Sequence, residues 1–203
     1  MQLQRNLGLG QYKSAWHLAH RVREAMKESP FAAMLTGTVE VDETYVGGKN
    51  PGGKRGRGSE NKTPVVALVE RGGKVRTRVV ANVTAKTLHA AIRENVDGNA
   101  AIMTDEWLSY RGIGKHFAGG HQSVNHGAKE YARGEVSTNS AESFFSLLKR
   151  GVYGNFHHVS KKHLHRYAEE FAFRWNSRKL KDGERTQIAL SMTAGKRLQY
   201  RDS

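Results

Sequence analysis

GTVEVDETYV, residues 37–46, is the stretch on which the reading of this chain turns. It is short and rich in β-branched residues, as a buried strand should be. Inside it sits Asp42, among Val39, Val41 and Tyr45, where an isolated charge is costly unless it is paired or bound to metal. Two further strands follow, PVVALVER at 64–71 and KVRTRVVANV at 74–83, and Gly72-Gly73 between them signals a tight hairpin. Working outward, TAKTLHAAIRENV at 84–96 has Leu88, Ala91 and Ile92 at helical spacing, and AIMTD at 101–105 gives a fourth strand that ends on Asp105. A short helix is expected over WLSYRGIGKHF, 107–117, and a fifth strand over HQSVNH, 121–126. STNSAESFFSLLKR, 137–150, reads as a helix with Ala141, Phe144, Phe145 and Leu148 facing inward. A longer helix is expected at about 160–179 with Leu164, Tyr167, Ala168, Phe171 and Trp175 as its buried stripe. Three hairpin-linked strands followed by alternating helices and strands imply an α/β fold, a mixed sheet with helices packed on its faces.

The 203 residues are enough for one sizeable domain with a small appendage. That appendage is residues 1–30. Within it, residues 11–27 place Ala15, Leu18, Ala19, Val22 and Met26 on one face of a basic amphipathic helix, and Pro30 marks the boundary. Lys and Arg number 33 against 19 Asp and Glu, a formal charge of +14, which points to a polyanionic partner. Nucleic acid is favoured over membrane, because no stretch approaches the length of an apolar spanning helix. The absence of cysteine excludes disulfides and thiolate zinc sites, so any metal must sit on oxygen or histidine. The first residues lack the apolar run of a secretory signal, and a cytoplasmic protein is expected.

The chemistry rests on where the acids fall. Asp42 lies within a strand, Asp105 ends another, where ligands gather in open α/β sheets, and Glu142 follows on a helix. Two Mg²⁺ ions that clamp the attacking and leaving oxygens of a phosphodiester need hard oxygen ligands from several segments, and three carboxylates meet that need. Glu142 has a second reading: Asn139-Ser140-Ala141-Glu142 fits a capping box, with Asn139 as cap and Glu142 reaching back to its amide. Asp42 paired with a buried arginine and Asp105 as a turn residue are the corresponding structural readings, and Glu40, Glu43 and Glu106 are neighbours that patterning does not separate from them. Lys149, seven residues past Glu142, lies on the same helix face about 10.5 Å further along the axis, where it can hold a DNA phosphate.

VEVDETYVGGK at 39–49, TDEWLSY at 104–110, STNSAESFFSLLKRGVYGNFHHVSKKHLHRYAEEFAFRWNSR at 137–178 and GKRLQYR at 195–201 resemble the insertion-sequence DDE transposases of the ISXO2-like group, in order and with the right kind of spacing. The resemblance runs from about residue 11 to the end. It implies a ribonuclease-H-like fold, Asp42 and Asp105 as the metal aspartates, Glu142 as the third acid, Lys149 as the associated helix lysine and Asn139 as a supporting residue. It also implies two Mg²⁺ or Mn²⁺ ions, cleavage at transposon ends to free a 3′-hydroxyl, and attack of that hydroxyl on target DNA by a homo-oligomer assembled on DNA, with no small-molecule substrate. Relatives commonly carry an N-terminal zinc ribbon and a complete helix-turn-helix. Here residues 1–30 are expected to be the remnant of that helix-turn-helix module, and residues 31–203 the catalytic domain.

The remaining signals are subordinate to that reading. Lys49, Lys54, Arg55, Arg57 and Lys62 fall in or beside a glycine-rich basic stretch suited to moulding onto phosphates, and Arg150, Arg174 and Arg178 are further candidate DNA contacts. HHVSKKHLH, 157–165, reads as a helix entry and a DNA-facing polar surface rather than a metal site. His121 and His126 bracket the fifth strand, and either a place at the catalytic edge or a structural hydrogen bond suits them. Two other functions fit the same features: a ribonuclease-H-like nuclease that cuts without joining, and a DNA-binding remnant without activity.

Overall fold

The hairpin signal at Gly72-Gly73 is realised as the turn between two antiparallel strands, β2 (Lys62–Glu70) and β3 (Val75–Val79). The structure, a computed structural model, describes residues 2–29, 32–48, 61–125, 132–134 and 136–199. β1 (Thr38–Gly47) pairs antiparallel with β2 on one side and parallel with β4 (Ala101–Asp105) on the other; β5 (His121–Val124) adds in parallel beyond β4. The sheet order is therefore β3-β2-β1-β4-β5, a mixed sheet whose antiparallel half is the hairpin region and whose parallel half is reached through helical crossovers. A separate two-stranded ribbon, β6 (Ala132–Arg133) with β7 (Val136–Ser137), precedes the helix that carries Glu142.

Alternation along β1 and β2 divides the apolar side chains between two layers. Val46, Val65, Ala67, Val69 and Val75 face α4 (Asn139–Arg150) and α5 (Leu164–Asn176), while Val39, Val41, Val66 and Leu68 face α3 (Ala85–Arg93) and the turns after β4. In α4 the inward stripe is Ala141, Phe144, Phe145 and Leu148, as its spacing demands; burial of each large side chain contributes about 1.5–3 kcal/mol. The result is the mixed sheet with helices packed on its faces that the strand and helix order led one to expect.

Several expectations need correction. Residues 107–117 form two short 3-10 turns, Leu108–Tyr110 and Ile113–His116, instead of one helix, because Gly112 adopts φ 82° and reverses the chain between them. β3 stops at Val79, and α5 is shorter than 160–179 at both ends. α6 (Asp182–Ser191) and a five-residue helix α1 (Gln2–Asn6) were not expected; neither buries a residue, so neither shows an apolar stripe. Between α4 and α5 the chain widens into a π-helical turn, Gly151–Phe156. Gly151 is required there: a Cβ would stand 1.8 Å from the Phe171 ring.

In α2 (Tyr12–Ala25) only part of the apolar stripe read in the sequence is covered: Ala15 is fully buried, and the contact with α5 is made by a neighbouring face. Val22 is 44 % exposed, whereas His20 is fully buried. The contacts to α5 are polar and aromatic: Arg23 binds Glu170 at 2.7 Å and stacks 4.1 Å from the Tyr167 ring centre, and Glu24 binds Arg166 at 3.0 Å. His20 lies between Trp16, at 4.1 Å between ring centres, and His163, at 4.7 Å. A stripe of small apolar residues is outweighed here by rings and paired charges that cover more surface. Asn176 locks α5 to the edge strand, donating to the Val75 carbonyl at 3.1 Å and accepting its amide at 2.7 Å.

Candidate active site

β1 carries three acids within a short run, Glu40, Asp42 and Glu43, and the pleat sorts them. Glu43 points to the α3 layer, where the buried Tyr110 hydroxyl donates to it at 2.7 Å. Glu40 and Asp42 point to the α4 layer. Glu40 is 1 % exposed and takes the start of α4: the amides of Ser140 and Ala141 donate to it at 2.7 and 3.3 Å, the Ser140 hydroxyl at 3.2 Å, and Arg71 pairs with it at 2.9 Å. The first turn of α4 is thus capped from β1. Thr138 occupies the cap position and makes no side-chain cap bond, which corrects the capping-box reading of Asn139 and Glu142.

That cap anchors the beginning of α4 two residues from Asp42, about 6.6 Å along the strand. On the other flank, Thr38 pairs with Ala101, Val39 with Ile102 and Glu40 with Met103; the same register continued by two residues sets Asp42 opposite Asp105 on the neighbouring parallel strand. Ile102 belongs to the α3 layer and Met103 to the opposite one, so Asp105 shares Asp42's side of the sheet. Asp42 accepts the Glu43 amide at 2.7 Å, and Asp105 accepts the Trp107 amide at 3.0 Å, which closes the turn out of β4.

Electrostatics ties the acids together. Burial, followed by the charges of Glu43, Asp105 and Glu142, pushes the Asp42 carboxyl up to about 7, against the opposing Glu43 amide bond. Asp42 therefore feels both other candidate acids, and a cation would relieve what burial and repulsion impose. The donor types and the sign of the potential suit a hard divalent ion. Among the described residues, however, no three His, Cys, Asp or Glu side chains converge closely enough to form a ready-made metal group.

The other candidates fall into two sets. Lys149 and Arg150 are exposed in the last turn of α4, with Lys149 on the stripe of Glu142; Asn139 is exposed at the opposite end of the helix. Lys62 opens β2 opposite Gly47. Arg174 and Arg178 lie elsewhere: Arg174 binds Glu170 at 2.7 Å, and Arg178 donates to the Gly73 carbonyl at 3.2 Å, at the hairpin turn and so at the far end of β2 from Lys62. Lys49, Lys54, Arg55, Arg57 and His126 lie outside the described residues. His121 faces the α3 layer, across the sheet from Asp105, and meets the Thr104 hydroxyl at 2.9 Å; burial lowers its pKa. Glu40 is the residue that sequence reasoning left unassigned, and no local signal marks it, since its partners lie 31 residues away in Arg71 and about 100 away in α4.

The sheet is of the mixed α/β class, and sequence comparison gives the family. Residues 34–176 match the ISXO2-like transposase domain, and the chain belongs to that family. It is 29 % identical over 178 residues to an uncharacterized protein in transposable element ISH50 of Halobacterium salinarum, covering 80 % of this chain and 60 % of that one. It is 31 % identical over 109 residues to an uncharacterized transposase-like protein of Haemophilus influenzae, covering 53 % of this chain and 85 % of the other. Among solved structures, the magnesium complex of the HTLV-2 integrase catalytic core domain superposes with a TM-score of 0.40 at 13 % identity, over 78 % of this chain and 99 % of that one. A chain of the simian T-cell lymphotropic virus intasome bound to PP2A regulatory subunit B56 gamma gives 0.44 at 15 %, over 96 % of this chain and 70 % of that one.

Proposed function

We propose that this protein is a DNA transposase that cleaves DNA at insertion-sequence ends and joins the freed 3′-hydroxyl to target DNA, using Asp42, Asp105 and Glu142 to hold Mg²⁺ or Mn²⁺. What supports this reading is that Asp42 and Asp105 lie just beyond the paired part of two adjacent parallel strands, and that the Asp42 carboxyl is raised by burial first, then by Glu43, Asp105 and Glu142. When bound, two such ions supply charge neutralisation at the attacking and leaving oxygens of an in-line displacement at phosphorus. The protein's own part is positional. Glu40 fixes the start of α4, the exposed Glu142 one turn in reaches toward the two aspartates, Lys149 holds a phosphate further along the same helix, and Asn139 supports the mouth of the site. Closing the three carboxylates around an ion is part of the proposal.

DNA is the partner, engaged by Lys62, Arg150 and the basic stretch containing Lys49, Lys54, Arg55 and Arg57, with Arg174 and Arg178 as outlying contacts. Two transposon ends call for more than one active site, so the protein works as a homo-oligomer on DNA. Residues 1–30 are read as part of a helix-turn-helix module.

The test is incubation of the purified protein with supercoiled plasmid and Mn²⁺, beside Asp42→Asn and Glu142→Gln, which keep size and remove charge. We expect nicking by the parent and loss of at least about a hundredfold in rate in both variants, on the order of the loss when a group that stabilises the transition state is removed. Equal nicking by parent and variants would place the chemistry elsewhere. Joined products, as opposed to nicks alone, separate a transposase from a nuclease that only cuts.

A further inference from the structure

At the far end of α4 lies a cavity of about 450 Å³ that the catalytic reading does not use. Its floor is apolar, made by Val46, Val152 and Val159, each no more than 8 % exposed. Its mouth carries Lys62, Tyr153, His157 and His158. Among the described residues no Asp or Glu lines it. Tyr153 is 45 % exposed, a large ring kept at the surface, and its hydroxyl reaches the Gly47 carbonyl at 3.5 Å, which holds the ring across the end of β1.

The backbone that builds this mouth is costly. His157 has φ 59° and ψ −44°, and among the described residues it is the only non-glycine with positive φ; the His158 amide returns to the Phe156 carbonyl at 2.6 Å. That is a γ-turn of the rarer, strained hand. It follows directly on the π-helical turn Gly151–Phe156, itself an uncommon form found mostly at functional sites. Two unfavourable conformations in succession aim two imidazoles and one phenol ring at a single hollow, and strain of this kind persists where surrounding structure enforces it.

We infer that this cavity is a binding site for one unpaired nucleotide of a DNA strand: the base lies on the apolar floor against the Tyr153 ring, and its phosphate meets Lys62 and the histidines. The inference rests on the proposed DNA reading and adds a specific contact to it. Size agrees, since the hollow exceeds a single base and excludes a duplex. Charge agrees as well, with a cation and no carboxylate in the described lining. A larger cavity of about 480 Å³ beside β3 is a poorer candidate, because its arginines Arg76 and Arg78 are already engaged by Glu28 and Glu169 and, among the described residues, no aromatic ring lines it apart from His165. Base stacking on an aromatic ring is sequence-tolerant, so the site selects unpaired over paired DNA and not one base over another.

The experiment compares two fluorescent single strands of equal length, an oligothymidylate and its abasic counterpart, which share the phosphates and differ only in bases. The parent protein binds the oligothymidylate about 5- to 150-fold more tightly. Tyr153→Ala erases that preference while leaving the abasic affinity in place; Tyr153→Phe, which keeps the ring and lacks only the hydroxyl, restores it. Lys62→Ala weakens both strands equally. A parent without the preference, or a preference that survives Tyr153→Ala, overturns the assignment. Binding of plasmid without base preference overturns the pocket alone, whereas binding of no DNA at all removes the DNA reading with it. Free dTMP is run in parallel, and displacement of the labelled strand by micromolar dTMP would assign the hollow to free nucleotides and overturn the inference.

Discussion

Glu40 and Asp42 stand two residues apart on one face of one strand, yet their surroundings differ. Glu40 is surrounded by four donors, two of them amides at the positive end of α4, so its charge is satisfied and its position fixed. Asp42 accepts a neighbouring amide and is otherwise pressed by burial and by other acids. A satisfied buried carboxylate is structural; a strained one beside others of its kind is a candidate for chemistry. Replacing Glu40 by alanine removes the acceptor of two helix amides and the carboxylate paired with Arg71, which keeps its bonds to Ser137, and we expect a loss of about 2–4 kcal/mol in urea unfolding. Glu40→Gln keeps an acceptor and should cost about 1–2 kcal/mol. An unchanged midpoint in Glu40→Ala would show that α4 does not depend on this cap.

The helices show how far the sequence could be read. α4 and the strands were legible because their periodicity and their burial coincide: Phe144, Phe145 and Leu148 are spaced for one face and occupy it. α2 was legible as a helix but not in its orientation, since its docking uses Trp16, His20, Arg23 and Glu24, which no hydrophobic pattern singles out. The acids of the candidate site were visible as residues, and the resemblance gave them roles. The parallel register of β1 with β4, and the cap that Glu40 gives to α4, depend on pairings between distant segments and leave no local trace.

The α2–α5 contact also carries a dependence on acidity. His20 is fully buried, and among the described residues neither ring nitrogen has a hydrogen-bond partner; burial, then the charges of Arg23, His163, Arg166 and His17, lowers its pKa from 6.5 to about 3. The neighbouring Tyr167 and Trp16 rings add no compensating negative charge. A folded-state value below the unfolded one means that the unfolded chain binds the proton first, so this contribution is complete above pH 6.5 and lost as pH falls toward about 3. The slope within that window is about 1.4 kcal/mol per pH unit from this group alone. We expect His20→Phe, which keeps a ring in the site, to flatten the fall in melting temperature between about pH 6.5 and about pH 4 relative to the parent. Parallel curves would locate the acid sensitivity in other groups.

Across the whole molecule the excess of 14 positive charges favours a polyanion, as the proposed DNA partner requires. Among the described residues no helix is long and apolar enough to cross a membrane. Contact with six or more phosphates lowers affinity by about a thousandfold or more between roughly 50 and 200 mM salt, through release of counterions. We expect plasmid binding to follow that dependence, and a flat salt profile would argue against a phosphate-tracking surface. The preference for unpaired bases should survive in salt better than total affinity does, because stacking releases no ions.

Asn176 gives the edge of the sheet a further property. β3 is the outermost strand on its side, and a bare outer strand is a template onto which another chain can zip. By occupying both polar groups of Val75 with a side-chain amide, Asn176 imitates the neighbour that is missing and spoils the repeat an incoming strand would need. Copies at high local concentration, such as the proposed assembly on DNA would create, are thereby discouraged from fusing edge to edge along β3.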